Sequence, residues 1–214
     1  MSLPSKEGSY RAISGNGDII VWSKDYKLKW EDFQGNGDTA KVIGAKCSST
    51  INYDFTPKHG DTLKLVIEAD FYKNESVTVI WRLKAANDVD QALQHEQIHF
   101  DITELYARKV RKMISVLINR AKRHNSNWIM DKFTNLYYKI MIEYMAEQKL
   151  FDKDVSFFDT PSMKTNDVLS VKDIEIVRNA QDQWRQRVNK KLSDLEAYKK
   201  NTFTIKVKKN NVMY

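Results

Sequence analysis

The sequence predicts an α+β fold in which strands come first, helices follow and a strand closes the order. Up to about residue 85 short apolar or alternating segments are separated by turn signals, and from about residue 87 apolar residues recur at helical spacing. Residues 202–208 alternate strictly between polar and apolar side chains, as a half-buried strand does. We therefore expect one domain over 1–214, with a β-rich part at about 15–85, a helical part at 87–199 and a closing strand at 202–208.

Three segments of the β-rich part are candidate strands. Residues 18–22 form a short apolar run, residues 63–71 alternate in part, and residues 76–81 are rich in β-branched side chains. Residues 45–50 resemble the start of a further strand. They contain Cys47, which is the only cysteine, so intrachain disulfides and cysteine-based metal sites are excluded.

Three helices are predicted after the strands. The first begins with Asn87 or Asp88 as its N-cap, and the second spans about 126–149. The third begins where Ser170 and Asp173 have the spacing of a capping box. Each has apolar residues along one face, which indicates helices packed against a common core.

The charge and hydropathy of the chain exclude several classes of protein. The formal net charge is +7, but lysine and arginine are spread along the chain without a nucleic-acid-binding motif, so we expect no nucleic-acid partner. No stretch approaches the roughly 20 apolar residues of a membrane span, and the first residues have no apolar segment typical of a signal peptide.

The segment from His95 to His99 carries the clearest chemical signal. It reads His-Glu-Gln-Ile-His, and residues four apart lie on one helical face, so both imidazoles can bind one metal ion. Glu96 is turned away from the two histidines, where it can serve as general base instead of ligand. The pattern predicts a Zn²⁺ site with His95 and His99 as ligands and Glu96 as the catalytic base. The alternative is a pair of surface or core-edge histidines on an amphipathic helix.

A catalytic zinc site needs a third protein ligand, and the sequence leaves its identity open. Asp101 and Glu104 point away from the histidine face, and Glu104 has the spacing to pair with Arg108. His59 and His124 lie in polar turns, where a solvated imidazole is the more common outcome. Four downstream carboxylates remain as candidates: Glu143, Glu147, Asp152 and Asp154.

Several segments together resemble a bacterial family described as predicted secreted zinc-dependent proteases. Residues 30–35 are similar to its Trp-x-Asp-Phe-x-Gly opening, and residues 95–105 are similar to its His-Glu-Gln-x-His-Phe-Asp-Ile-x-Glu motif. The resemblance covers about residues 28–112 and is weaker beyond. It implies a zincin-like fold, two zinc ligands on one helix, a peptide or protein substrate and an extracytoplasmic location.

The downstream part departs from the family pattern. The family has a histidine in a Tyr-Asp-x-Glu-Thr-x-His-Gly motif, and residues 151–158 are the best counterpart here, with Phe157 at the histidine position. A phenyl ring cannot bind zinc, so this departure leaves both the third ligand and full catalytic competence open. The later Gln-x-x-Trp of the family is echoed by Gln181 and Trp184.

Three functions are compatible with these residues. The first is a zinc-dependent peptidase, active or impaired. The second is a non-catalytic cell-envelope binding or structural protein that retains the fold. The third is metal-assisted hydrolysis of a non-peptide substrate by the same residues.

Overall fold

The computed structural model describes residues 18–36, 44–58, 61–79, 89–155 and 171–208. The helices are α1 (Val89–Ala121), α2 (Ser126–Asp154) and α3 (Val171–Asp194). The strands are β1 (Ile19–Val21), β2 (Ala45–Lys46), β3 (Ser49–Pro57), β4 (Thr62–Tyr72), β5 (Val77–Thr78) and β6 (Thr202–Lys206). Short 3-10 helices lie at Trp30–Asp32, Lys73–Glu75 and Glu196–Tyr198.

The predicted α+β class and the order of strands, helices and closing strand are confirmed. The main omission is β3, of which only the first residues were expected to be extended. Its signal is the alternation of Ile51, Tyr53 and Phe55 with polar residues. The predicted helix-start residues Asn87, Asp88 and Ser170 lie outside the described residues.

Strand β4 is the centre of the larger sheet, and all its neighbours are antiparallel to it. β3 pairs with it along nine residues, from Ser49↔Phe71 to Pro57↔Leu63. Its other edge is shared, since β1 pairs with residues 70–72 and β6 pairs with residues 62–66. β2 and β5 form a separate two-stranded sheet.

The core lies between the β3–β4 face of the sheet and the helices. Leu65, Ile67, Ala69 and Phe71 alternate along β4 toward α1 and are fully buried. Between Ile98 and Val110, α1 has buried side chains on nearly all its sides. This helix is therefore enclosed by the sheet, α2 and α3 along the stretch that follows the histidines.

Helices α1 and α2 form a hairpin that determines where the site is. They are joined at residues 122–125, and the Asn125 side chain caps α2 by accepting a hydrogen bond from the Trp128 backbone N–H at 3.0 Å. Because α2 runs back along α1, its last turns lie beside the first turns of α1. Within the described ranges, no helix is both long enough and apolar enough to span a membrane.

Candidate metal centre

The two histidines lie one turn apart on α1, as the i, i+4 spacing predicts. Their Nε2 atoms are 3.0 Å apart. The buried ring of Phe151, from α2, packs against both: it stacks on His95 with centroids 4.7 Å apart and meets His99 edge-on at 4.8 Å. The phenyl ring thus holds both imidazoles with their Nε2 atoms directed to one point.

Asp152 completes a three-residue cluster with the histidines. Its Oδ1 atom lies 2.9 Å from His99 Nε2 and 3.5 Å from His95 Nε2. The Asp152 side chain is 57% exposed, whereas those of His95 and His99 are mostly covered. The α1–α2 hairpin therefore brings one of the four carboxylates proposed from the sequence to the predicted ligands.

The geometry of this cluster suits a small divalent cation. The three ligand atoms lie within 4.8 Å of one another. Ligands at about 2.0–2.1 Å from a tetrahedral zinc ion are about 3.3 Å from each other, and the separations here are 2.9, 3.0 and 3.5 Å. These three atoms could therefore hold a single ion together.

Gln148 fixes the orientation of the His99 ring. Its Nε2 donates to the His99 carbonyl at 3.0 Å, which turns Oε1 toward His99 Nδ1 at 2.6 Å. Nδ1 is therefore the protonated nitrogen that donates to Gln148, and the lone pair of the neutral ring is on Nε2. An outer hydrogen bond of this kind is usual for imidazoles that bind metal ions.

The contacts within the cluster favour a negative charge on Asp152 and a positive charge on His99. Burial opposes ionisation of Asp152, but hydrogen bonds from His95 and His99 hold its pKa well below the usual range. Burial likewise opposes a charged His99, yet the hydrogen bond to Asp152 and the negative charge of Glu96 raise its pKa. The surroundings of His99 therefore favour a positive charge at this position.

Glu96 lies beside the histidines and is buried. Its Oε2 accepts a hydrogen bond from the Cys47 backbone N–H at 2.7 Å, which connects α1 to the residue that follows β2. Burial and the nearby Glu96 charge raise the pKa of the Cys47 thiol. Cys47 is thus kept as a thiol, which disfavours a role as a nucleophile.

A cleft of about 340 Å³ opens over the cluster. One wall is formed by β2 and the start of β3, the floor by α1 and the other wall by α2. The residues that line it are Ala45, Lys46, Cys47, Ser49, His95, Glu96, His99, Tyr144, Gln148 and Asp152. Every side chain of the predicted zinc site and its base therefore faces one solvent-accessible space.

The other candidate carboxylates have partners elsewhere. Glu147 binds Arg187 and Lys191 on α3, and Glu143 lies 3.7 Å from Lys109. The remaining candidate, Asp154, accepts a hydrogen bond from the Trp184 indole at 3.1 Å.

The remaining predicted residues have structural positions or cannot be placed. Asp101 accepts hydrogen bonds from Trp22 and Gln97, and Glu104 pairs with Arg108 at 2.9 Å as predicted. The His124 ring stacks on Trp128. His59 and Phe157 lie outside the described residues, so the prediction about Phe157 stays a prediction.

The sequence pattern did not identify two residues of the site, Gln148 and Phe151. Both lie on the α2 face that also carries Tyr144 and Asp152, at steps of three or four residues. This spacing in the sequence indicates that the residues share one face of the helix. Only the hairpin geometry shows that the face is directed at the histidines.

Comparison of the chain with protein-family models, with curated proteins and with solved structures finds no match. The family resemblance of residues 28–112 is therefore an expectation from the sequence.

Proposed function

We propose that the protein is a zinc-dependent peptidase with a zincin-like catalytic site. The observation that carries the proposal is the convergence of His95, His99 and Asp152 in a cleft that Glu96 also lines. His95 Nε2, His99 Nε2 and Asp152 Oδ1 would hold the metal ion. Bound zinc would supply a Lewis acid that polarises a carbonyl group and lowers the pKa of a water molecule toward about 7.

Glu96 distinguishes this proposal from other uses of the same ligands. Two histidines and a carboxylate also suit ferrous iron in oxygenases. A buried carboxylate adjacent to the ligands serves proton transfer in hydrolysis, so Glu96 favours zinc. Its Oε2 is held by the Cys47 N–H, and we assign the role of general base to Oε1.

The metal part of the proposal is tested by elemental analysis. Protein purified without chelator and loaded with zinc should contain about one Zn²⁺ per chain, since three ligand atoms converge on one point. His95→Ala and His99→Ala should each lose most of it, whereas His124→Ala, outside the cluster, should not. A metal-free wild type, or His95→Ala and His99→Ala proteins that load like wild type, would contradict the site.

The catalytic part is tested with Glu96→Gln. This variant keeps the size of the side chain and an oxygen for the Cys47 N–H but removes the base, so peptide hydrolysis should fall by about 10²–10⁴-fold with zinc content unchanged. Hydrolysis of casein-derived peptides by zinc-loaded protein is the measurement. A Glu96→Gln protein as active as wild type would refute the mechanism. A wild type that binds zinc without hydrolysing peptides would support the binding-module alternative.

A further inference from the structure

Three chain segments far apart in sequence meet at the end of the molecule remote from the cleft. The Lys208 N–H donates to the His124 carbonyl at 2.7 Å, which joins the residues after β6 to the α1–α2 turn. The Val207 N–H donates to the Asp61 carbonyl at 2.7 Å, which joins the same residues to the β3–β4 turn. The surface that these three turns share is called the basic end.

The basic end concentrates exposed positive charge. It carries six exposed cations: Lys58, Arg120, Lys122, Arg123, Lys206 and Lys208. The carboxylate among these turns is Asp61. The six cations and Asp61 together carry a net charge of +5, compared with a formal net charge of +7 for the chain. Within the part of the chain that the structure describes, none of the six forms an ion pair.

The helix dipole accounts for only part of this concentration. Arg120 lies in the last turn of α1 and Lys122 and Arg123 follow it, and cations at the carboxyl end of a helix compensate its dipole. Lys58, Lys206 and Lys208 lie in or beside strands, where no such compensation is needed. Like charges brought together by tertiary structure repel one another, and an anionic surface would relieve that repulsion.

Exposed apolar side chains accompany the cations. Val116, one helical turn before Arg120, is 60% exposed, and Met130 in the second turn of α2 is 38% exposed. The Trp128 ring is covered on one face by the His124 ring, with centroids 4.0 Å apart. Cations mixed with exposed aliphatic side chains such as Val116 and Met130 suit a lipid interface, whereas surfaces that stack nucleic-acid bases present exposed aromatic rings.

We propose that the basic end binds the surface of membranes that contain anionic phospholipids. The six cations contact the phosphate-bearing headgroups, and Val116 and Met130 enter the interface between them. His99 lies 22 residues before Ala121 on α1, so the bound molecule holds its cleft about 33 Å from the membrane-facing end. This inference is independent of the proposed peptidase activity.

Vesicle co-sedimentation tests the proposal. Wild-type protein should sediment with vesicles of phosphatidylglycerol and phosphatidylcholine in equal parts, and not with pure phosphatidylcholine. Each neutralised cation should weaken binding by about fivefold, so Arg120→Gln/Lys122→Gln/Arg123→Gln should weaken it by about 100-fold. High salt should have the same effect, because screening removes the attraction.

A charge-matched variant controls for net charge. Lys24→Gln/Lys139→Gln/Lys149→Gln removes three other exposed lysines and should retain nearly full binding. Equal weakening by the two triple variants, or no binding of wild type to the anionic vesicles, would overturn the proposal. Tighter binding to a single-stranded oligonucleotide than to the vesicles would also overturn it, in favour of a nucleic-acid surface.

Discussion

Asp152 differs from the neighbouring acidic residues in one respect, the direction of its side chain. Asp154 points to Trp184, so Asp152 is the carboxylate on this turn of α2 that reaches His95 and His99, beside the ring of Phe151. The position of Asp152 around the axis of α2 therefore makes this residue, and not Asp154, the proposed third ligand. Neighbouring carboxylates can therefore serve as matched controls.

Asp152→Asn should weaken zinc binding strongly. The amide oxygen is a poor ligand, and loss of a direct ligand should exceed the roughly 10–100-fold effect of losing an outer hydrogen bond. Competition with a chelator of known affinity measures the dissociation constant. Asp154→Asn, two residues further along α2, should leave the constant near that of wild type. Equal affinities of the two variants would exclude Asp152 as a ligand.

Gln148→Met should weaken zinc binding by about 10–100-fold without removing a ligand, because the His99 ring loses the acceptor that orients it. Gln148→Glu retains an acceptor oxygen and should recover most of the affinity. Gln94→Met, on the exposed side of α1, controls for the substitution itself. The same chelator competition serves here, and a Gln148→Met protein with wild-type affinity would show that Phe151 alone holds the ring.

At the scale of elements, a buried ionic network connects α1 to the sheet and to the end of α3. Glu104 accepts hydrogen bonds from Arg108 at 2.9 Å and from Arg111 at 2.8 Å, and all three side chains are buried. Arg111 also donates to the Ile67 carbonyl of β4, and Arg108 donates to the Leu192 carbonyl of α3. The network thereby fixes the helix that carries the histidines against both neighbouring elements.

Glu104→Gln should lower the free energy of unfolding by about 3–5 kcal/mol, since the buried Arg111 would lose its carboxylate partner and the buried Arg108 would keep only the exposed Glu196. Urea denaturation followed by circular dichroism is the measurement. Glu143→Gln removes a carboxylate that is 63% exposed and 3.7 Å from Lys109, and it should cost less than about 1 kcal/mol. Similar losses in the two variants would mean that the network adds little to stability.

The elements show which structural features could be predicted from sequence. Helices α1, α2 and α3 were predictable because apolar residues repeat at helical spacing, and the pairing of Glu104 with Arg108 follows from local geometry. The addition of Arg111 to that pair, and of Asp152 to the histidines, depends on packing between segments distant in sequence. No periodicity along the chain encodes such contacts.

At the scale of the whole molecule, a metal ion at the site would connect the first turns of α1 to the last turn of α2. Zinc that binds only the folded protein should raise the free energy of unfolding by about 2.7 kcal/mol when its free concentration is 100 times the dissociation constant. Urea denaturation with and without zinc measures this difference. His99→Ala should show almost no gain, and an equal gain in wild type and His99→Ala would indicate binding elsewhere.

The arrangement of β4 has a consequence for the synthesis of the chain on the ribosome. Residues 62–66 of β4 pair with residues 202–206 of β6. This edge of the central strand therefore has no β6 partner until more than 130 further residues have been translated. At about 5–20 residues per second this interval lasts roughly 7–30 s. During that time Leu63 and Leu65 lie on an open edge of the kind that pairs with other chains. The emerging chain thus has a defined period in which this edge of β4 has no partner from its own sheet.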